Sequence, residues 1–551
     1  MNFRRFVKII VPMMIIVILS TSCEIQNDSE KTTKPTKLDP VEQELIANPA
    51  LSRSGALVVA APDIDSTFNP LFASKDVEDW ISDLVFDGLF VFSGNDSLQG
   101  VLAKSYVVAE DGIKYTVDLK EGITFQSGSL VKSEDVLFTY GILLDPLYDG
   151  KYASVKTHLV SVDKIGEHQI EFTFNSNSRD NLSSFVVPIL SKDYYDFIEL
   201  EDFKKNYKAP MGTGPFSFND YSLGESIVLV KNTNYLADNA KISGIVIKKY
   251  NEADAFKAFG EGKIDIFEIS PSKFKVEDVK QLSFGNVMTQ GTNITTFIGL
   301  DLTNQILNEV KVRQALLYGL DREAFIQSEW AGYSDAVNFI ATDNAEYNIN
   351  TQPLDQYVYN LEKANELLDS SGWKDKDDDG FREKNGERMK LEYTVFPEAD
   401  WSYNLGQFAK LQWRKLGIEV TLIYLDYNTM IDKMSGEEKS SMWNLAWEIT
   451  SNQNPEMLFS SNIEKGIYNF GAFEDQTSNE MFDELHEVNS RFERETILKQ
   501  WHMIQNEMLP VLPIARLKSI WAYNSRVKNL KIDAFASWTQ QIENLEIEVL
   551  Q

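Results

Sequence analysis

Two segments of the sequence show the same succession of an amphipathic helix, a glycine and a strand. Residues 404–417 predict a helix that ends at Gly417, and the strand-like run IEVTLIY at residues 418–424 follows at once. The same change occurs near Gly262, where the run IDIFEI begins. A glycine at this point is typical of a left-handed helix terminus. Helices that alternate with strands in this way predict an α/β fold.

The N-terminal third of the sequence favours the same fold class. Residues 56–61, ALVVAA, predict a buried strand, and residues 78–90 predict a helix after an intervening loop. Residues 113–125 alternate between apolar and polar side chains, as expected of a half-buried strand. Ser133 is expected to cap the next helix, and residues 169–174 predict another strand.

Helical periodicity returns in the second half of the chain. Residues 308–330 predict a pair of helices, with Asp321 as the cap of the second. Residues 361–372 predict a further helix that ends at Gly372. A chain of 551 residues exceeds what one hydrophobic core usually supports, so two or three domains are expected.

The N-terminus has the pattern of a secretory signal peptide. Three basic residues precede an apolar run at residues 9–19, and small residues follow. A membrane-spanning anchor is the alternative, but it needs about 20 apolar residues. The lone cysteine, Cys23, follows the small residues in an arrangement that resembles the bacterial lipobox, although Ser20 stands where that motif usually has Leu. Residues 1–22 are therefore expected to be removed and Cys23 to be lipidated, with a buried or incidental free thiol as the alternative.

The charge of the chain excludes one class of partner. Without residues 1–22 the chain would carry 50 basic and 83 acidic residues, a net charge of −33. Such a surface repels the phosphates of nucleic acids and gains nothing from an anionic membrane. A lipid on Cys23 would then be the anchor, and residues 23–53 are polar enough to predict a disordered tether.

The sequence shows few of the residue constellations that enzymes need. The four histidines have no metal-binding spacing, and neither a nucleophile elbow nor a phosphate-binding loop is found. They are expected to be ordinary surface or core residues (His158, His168, His486 and His502). We expect no enzymatic activity and no cofactor.

One acidic loop resembles a calcium-binding loop. Asp375, Asp377 and Asp379 precede Gly380 with the spacing of such a loop. However, Gly386 occupies the position where a bidentate acid belongs. A polar turn before a strand is the favoured interpretation, so no metal site is predicted, and the three aspartates remain the only candidates.

Several segments together resemble the solute-binding proteins of bacterial peptide and nickel ABC importers. The resemblance covers about residues 54–530. The motifs that carry it are ALVVAAPDIDSTFNPL with LVFDGLF, the run at residues 102–140, MGTGPFSF at 211–218, VRQALLYGLDRE at 312–323, the acidic segment at 368–387 and LPVLPIA at 509–515.

This resemblance implies a two-lobed α/β clamp of the periplasmic-binding-protein type. The first lobe would combine residues 54–305 with residues 520–551, and would include an extra subdomain at about residues 100–205. The second lobe would comprise residues 306–519. Crossover strands near 297–302 and 513–517 would form the hinge, so that the lobes close around a ligand.

The resemblance also indicates where a ligand would bind. In peptide binders of this family, an acidic residue in the segment that matches WEITSNQNPEML holds the amino group of the ligand. Ser451 or Asn452 stands at that position here, and Glu448 is a possible substitute one helical turn earlier. Ligand clefts also need aromatic walls. The candidates for such walls are Trp447, Trp401, Tyr403, and Phe68 with its neighbour Asn69. For each of them, packing in the core is the alternative.

The implied function is that of an extracytoplasmic receptor that delivers a peptide-like solute to the permease of an ABC importer. The missing acidic residue leaves a modified peptide or an oligosaccharide open as the ligand. The protein would act as a monomer on the outer face of the cytoplasmic membrane of a bacterium. A sensing or adhesion lipoprotein without transport, and a hydrolase on the same scaffold, are the alternatives.

Overall fold

The computed structural model describes residues 40–65, 68–92, 98–195, 199–205, 209–235, 240–271, 273–340, 354–436, 438–448, 456–488, 490–532 and 537–550. The predicted signal segment and Cys23 lie outside these residues, and so do Ser451 and Asn452. No helix in the described ranges is both long and apolar enough to cross a membrane.

Helices and strands alternate along most of the described chain. The α-helices are α1 Pro40–Ala47, α2 Asp76–Val85, α3 Ser133–Leu143, α4 Lys192–Tyr195, α5 Leu200–Lys204, α6 Glu252–Gly260, α7 Lys273–Gln281, α8 Val310–Tyr318, α9 Arg322–Glu329, α10 Leu361–Ser370, α11 Asp400–Arg414, α12 Tyr427–Ser435, α13 Glu456–Phe459, α14 Gln476–Glu487 and α15 Arg491–Met508. Short 3-10 helices are Pro49–Ser52, Ala153–Thr157, Arg179–Val186 and Trp538–Asn544.

The strands form one large sheet and several small ones. They are β1 Ala56–Ala61, β2 Phe90–Phe92, β3 Leu98–Gly100, β4 Ala103–Val108, β5 Lys114–Leu119, β6 Leu159–Gly166, β7 Gln169–Phe174, β8 Phe216–Ser222, β9 Ser226–Lys231, β10 Gly244–Lys249, β11 Ile266–Glu268, β12 Gly285–Leu300, β13 Ser334–Ala336, β14 Glu383–Lys384, β15 Glu387–Arg388, β16 Lys390–Val395, β17 Glu419–Tyr424, β18 Met442–Glu448, β19 Val511–Asn524, β20 Val527–Lys528 and β21 Glu546–Ile547.

Two long strands join the halves of the large sheet. Its order is β17-β16-β18-β12-β19-β11-β1-β10-β9-β8, and β13 pairs with β19 at the side of this path. Strands β12 and β19 pair with each other along most of their length, while their ends have different neighbours. The register between them shifts between Gly291 and Thr295, and again between Thr296 and Phe297. Such shifts bend and twist a strand locally.

Each half of the large sheet is packed on both faces. Leu57 and Val59 of β1 enter one core, while Val58 and Ala60 enter another. The other half divides in the same way, since Ile298 and Phe297 of β12 belong to different cores. A sheet covered on both faces is the three-layer arrangement of α/β proteins. The α/β clamp predicted from the sequence is confirmed.

The first half of the molecule contains the sheet strands β1, β8, β9, β10 and β11. A separate four-stranded antiparallel sheet also forms part of this first half. Its order is β4-β5-β7-β6, and helix α3 packs against β6. Tyr115, Val117 and Leu119 of β5 are buried, as the alternating pattern predicts. This sheet lies within the range expected for the extra subdomain, and its core is continuous with that of the neighbouring large sheet.

Two local predictions are corrected by the structure. Lys132, not Ser133, is the N-cap of α3; Asp135 accepts a hydrogen bond from the Lys132 N–H, while the Ser133 hydroxyl donates to the carbonyl of Gly166. The predicted tether does not extend to residue 53, because residues 40–52 include two short helices. Buried Arg526 donates to the carbonyl of Ala50, which holds this segment on the first half.

Candidate functional site

A cavity of about 690 Å³ opens beside the carboxyl ends of β1 and β11. These two strands are parallel and adjacent, so their ends meet at one edge of the sheet. In open α/β sheets, ligands bind in the crevice outside the carboxyl ends of the strands. The walls come from residues 60–63 after β1, residues 75–80 at the start of α2, residues 250–255 around the start of α6, residues 267–271 after β11, and Lys518 and Trp521 of β19.

Aromatic side chains form one wall of the cavity. Trp80 of α2 and Trp521 of β19 are both almost buried, with ring centroids 6.1 Å apart. Trp538 supports Trp80 from behind at 5.4 Å. Large, rigid aromatic groups of this kind give a ligand apolar contact area without much loss of side-chain entropy.

Two of the acidic groups at the cavity are held by bonds within the chain. Asp63 accepts hydrogen bonds from Lys75 at 2.7 Å and Lys249 at 3.4 Å, and the bond from Lys75 is the main reason that its pKa falls to about 2. Glu252 accepts from the N–H of Ser270 at 2.8 Å and from Lys275 at 2.5 Å. Burial alone would raise the pKa of Glu252, but these bonds outweigh it and hold the pKa below its usual value.

Glu268 differs from these groups because its carboxylate has no cationic partner among the described residues. It is the last residue of β11 and lies directly opposite Trp521 of β19 in the antiparallel pair, so both side chains lie on the same face of the sheet. The side chain is accessible to water, yet the cavity walls displace part of its hydration. This desolvation, followed by repulsion from Asp76 and Glu252, raises the pKa of Glu268 to about 7.

Lys518 connects the cavity to the crossover region of the sheet. Its ammonium group lies 2.5 Å from Asp335 of β13, and Arg516 lies 3.7 Å from the same carboxylate. Asp335 stands opposite Arg516, and Arg516 stands opposite Thr295 of β12. An ion pair therefore holds a lysine of the cavity wall against a strand at the side of the crossover.

The predicted wall residue Trp447 lies in the same row of the sheet. It stands opposite Thr295, is half-buried, and meets the ring of Tyr468 at 5.1 Å. Glu448 is the last residue of β18 and is exposed. The structure therefore places Trp447 at the crossover, opposite β12, whereas Ser451 and Asn452 lie outside the described residues. Neither Trp447 nor Glu448 lines the cavity beside β1 and β11.

Trp401 and Tyr403 lie on the second half of the molecule, which contains strands β16, β17 and β18. Trp401 is half-buried against the ring of Phe396, with centroids 5.6 Å apart. Tyr403 is exposed and contacts Tyr424 at 5.9 Å. Both side chains lie in or beside α11, away from the strand ends that form the cavity.

Phe68 and Asn69 have contacts within the core of the first half. Phe68 packs against the rings of Phe218 and Tyr221. Asn69 is almost completely buried; its amide donates to the carbonyl of Phe203 at 2.5 Å, and its oxygen accepts from the Leu71 N–H at 3.1 Å. These bonds shape the loop after β1, and they use both polar ends of the Asn69 side chain.

The acidic loop brings together a different set of residues from the predicted one. Carboxylate oxygens of Asp375, Asp377 and Glu383 lie within 4.8 Å of one another. Asp379 instead pairs with Arg388. Asp375 accepts a hydrogen bond from the Gly380 N–H at 2.9 Å, so the loop also holds its own turn. Asp375, Asp377 and Glu383 are the residues that could hold a cation at this loop.

Sequence reasoning missed the cavity residues Glu268, Trp521 and Tyr250. A signal was present for Glu268, because a charged residue follows two apolar ones at the end of the short strand β11, Ile266–Glu268. Nothing comparable marks Trp521, since its place at the cavity depends on the pairing of β19 with β11, two strands about 250 residues apart.

Comparisons with known proteins agree with this architecture. The family model of bacterial extracellular solute-binding proteins, family 5, matches residues 97–469. The oligopeptide-binding protein AppA of Bacillus subtilis is 24% identical over 496 residues, which cover 87% of each chain. Its structure in complex with a nonapeptide is similar to this one with a TM-score of 0.69 and 21% identity, over 90% of this chain and 99% of that one.

A second solved structure has a higher structural similarity. NikA from Brucella suis, in complex with Fe(III)-EDTA, has a TM-score of 0.78 and 18% identity, over 89% of this chain and 99% of that chain. At this identity the similarity shows the shared fold. The family model covers more than half of the sequence, and the clamp fold agrees with it; the chain belongs to the bacterial extracellular solute-binding proteins of family 5 and is a receptor for an ABC importer.

Proposed function

We propose that this protein captures a peptide-like solute in the cavity beside β1 and β11, and delivers it to an ABC permease. The cavity is the observation that carries the proposal. Its volume of about 690 Å³ lies within the usual range for small-molecule sites, and aromatic walls with a few polar groups are the usual lining.

Closure of two lobes around the cavity is the proposed mechanism. The first lobe would contain residues 54–305 and 520–551, and the second residues 306–519. Strands β12 and β19 are the links that support this division, with irregular pairing between Gly291 and Phe297. A ligand that contacts both lobes would favour the closed form by its extra contacts there. The closed form would then dock on the permease.

A peptide-like ligand is supported by the relatives, with a modified peptide or an oligosaccharide as the alternative. AppA is named for binding oligopeptides and its structure contains a nonapeptide. We propose that Glu448, Ser451 and Asn452 contact the ligand from the second lobe, with Trp447 as an aromatic wall. Trp401, Tyr403, Phe68 and Asn69 are proposed as more distant parts of the binding region.

We further propose that the protein acts as a monomer at the outer face of the membrane. A signal peptide at residues 1–22 would direct export, and lipid on Cys23 would anchor the mature chain. One acyl chain binds a membrane only marginally, so stable anchoring requires a doubly acylated cysteine. Substitution of Cys23 by Ser should release the exported protein into the medium, whereas an unchanged membrane fraction would contradict the anchor.

Native mass spectrometry of the protein from residue 24, purified from a culture grown in peptide-rich medium, tests the proposed capture. A discrete added mass that disappears on unfolding is expected, and fragmentation should identify it as a peptide or modified peptide. An added mass that matches a sugar would instead support the alternative that the ligand is an oligosaccharide. A native spectrum that shows only the protein, together with no thermal shift from peptide, sugar and metal libraries, would contradict solute capture.

Uptake measurements separate transport from sensing. Deletion of the gene should abolish uptake of the captured solute, and the Cys23→Ser variant should restore it only in part because the receptor would no longer stay near the permease. Normal uptake in the deletion strain would favour a sensing or adhesion lipoprotein.

A further inference from the structure

We infer that the cavity selects solutes with a cationic group, an ammonium or a guanidinium, which Glu268 binds beside the indole of Trp521. The inference rests on the proposed function and names the ligand class of the same site.

Some charged side chains at the cavity have an ion-pair partner among the described residues, and others have none. Asp63, Asp76, Glu252 and Glu268 line it together with two lysines, Lys75 and Lys518. Lys75 is held by Asp63, and Lys518 is held by Asp335 from β13. Glu252 has its own cation in Lys275.

Two carboxylates therefore remain without a cation in the described part of the chain, Glu268 and Asp76. Asp76 is the first residue of α2 and repels the carboxylate of Glu268, as Glu252 does from α6. An anionic solute would add to this repulsion, whereas a cation would relieve it. A neutral solute could donate a hydrogen bond to Glu268, but it would leave the repulsion from Asp76 and Glu252 uncompensated.

The geometry of the wall suits a cation as well. Glu268 and Trp521 stand opposite each other on adjacent strands and share one face of the sheet, and Trp80 lies against Trp521. A cation over an indole ring gains from the quadrupole of the ring, and more so where water is displaced. A carboxylate next to such a ring gives the cation both an ion pair and an aromatic contact.

The acid–base state of Glu268 agrees with this arrangement. Because the pKa of Glu268 is about 7, its carboxyl group is partly neutral and partly ionised at neutral pH when no solute is bound. A bound cation favours the ionised form and so lowers the pKa. Binding of the cation should therefore release a proton near pH 7, and affinity should rise as the pH increases from about 6 to about 8.

Isothermal titration calorimetry with a matched peptide pair tests the inference. The probe is Ala-Ala-Lys-Ala-Ala, acetylated at its N-terminus and amidated at its C-terminus, and the matched control carries Nε-acetyl-lysine. A second pair, penta-alanine with a free or an acetylated N-terminus, tests an α-ammonium in the same way. In at least one pair the cationic form should bind about tenfold more tightly or better, which corresponds to about 1.4 kcal/mol.

Glu268→Gln should remove most of this preference and the proton release, which is measured in buffers of different ionisation enthalpy. Glu277→Gln, on the exposed surface of α7, is the control and should retain both. Thermal unfolding of the two variants checks that both are folded, and loss of repulsion should leave Glu268→Gln at least as stable as the parent.

Equal affinity for the cationic and neutral forms of both pairs, or a preference that survives in Glu268→Gln, would overturn the inference. The proposed function would stand in that case if native mass spectrometry still found a captured solute. A captured solute without any cationic group would also overturn the inference alone. Failure to bind any peptide, together with an empty native spectrum, would contradict both proposals.

Discussion

Asp265 shows how a single acidic residue can hold distant parts of the chain together. The Asp265 carboxylate and the Arg526 guanidinium are both fully buried, with the Nε of Arg526 2.9 Å from the carboxylate. Arg53 pairs with the same carboxylate, and the Val58 N–H donates to it at 2.8 Å. Residues near both ends of the described chain thus meet at Asp265, directly before β11.

Removal of Asp265 should therefore destabilise the first half strongly. We expect Asp265→Ala to lower the free energy of unfolding by about 3–5 kcal/mol, because Arg526 would be left buried without its counter-ion. Chemical denaturation measures the change. Glu261→Ala, which removes an exposed pair with Lys263, is the control and should have little effect. A loss as small as that of the control would contradict the assigned role.

Asp83 should make stability depend on pH in the opposite sense to an ordinary aspartate. Desolvation raises its pKa to about 6 in the folded protein, although Thr539 donates a hydrogen bond to it at 2.6 Å. Between about pH 4 and pH 6 the folded state then binds more protons than the unfolded state. The contribution of Asp83 to stability therefore falls as the pH rises through this window.

Asp83→Asn removes the ionised form while it keeps an oxygen that can accept from Thr539. We expect this variant to be more stable than the parent at about pH 7.5, by at most about 3 kcal/mol, and equal to it near pH 4. Melting temperatures at both pH values test this, with Glu277→Gln as a control of the same charge change. A gain that is equal at both pH values would exclude titration of Asp83 as the cause.

At the residue scale, the sequence identified types of side chain better than their surroundings. Aromatic residues suitable for a wall could be named, but Phe68 packs on Phe218 and Tyr221, which come from a strand about 150 residues later. Glu268 could not be identified from the sequence, because its lack of a cationic partner among the described residues depends on tertiary pairing. Lys275 pairs with Glu252, and Lys518 pairs with Asp335. Such pairings are set by tertiary contacts, which a single sequence does not show.

At the scale of elements, close packing of two strands explains a glycine near the end of β12. Gly299 stands opposite Trp443 of β18, and a Cβ at Gly299 would lie 2.2 Å from the indole nitrogen. Trp443 is buried, so its ring has little room to move away. A glycine within a strand often marks a close approach of this kind.

We expect Gly299→Ala to destabilise the protein by about 1–3 kcal/mol, since the indole must shift within a packed core. Equilibrium unfolding measures this, and near-UV circular dichroism should report the displaced ring. Gly260→Ala is a matched control, because a Cβ there meets nothing within 4 Å at the end of α6. If both variants had the same stability, the assigned packing would be wrong.

Most elements could be predicted from local patterns, and the exceptions have tertiary causes. Gly262, Gly372 and Gly417 do adopt left-handed backbone conformations, as their positions at helix ends predict. Strand β1 has the predicted bounds. The cap of α3 differs because the Ser133 hydroxyl is used by the β6–β7 turn, which periodicity in α3 does not reveal.

At the scale of the whole molecule, β12 and β19 determine how the halves are connected. The family resemblance implied crossover strands near residues 297–302 and 513–517, and both segments lie in or beside the long strands. The register shift that follows Gly291 could not be predicted, because it depends on how the two strands pair. The fold class followed from motifs and alternation, whereas the cavity required the assembled sheet order.

Distance measurements between two spin labels test clamp closure most directly. The protein from residue 24 contains no cysteine, so Lys257→Cys on α6 and Lys410→Cys on α11 can be labelled selectively. Both positions are exposed helix residues, one in each proposed lobe. Addition of a tryptic casein digest, whose peptides end in Lys or Arg, should shift the whole distance distribution to a new mean, and Glu268→Gln should reduce the shift. Bound peptide with an unchanged distribution would contradict capture by closure of two lobes.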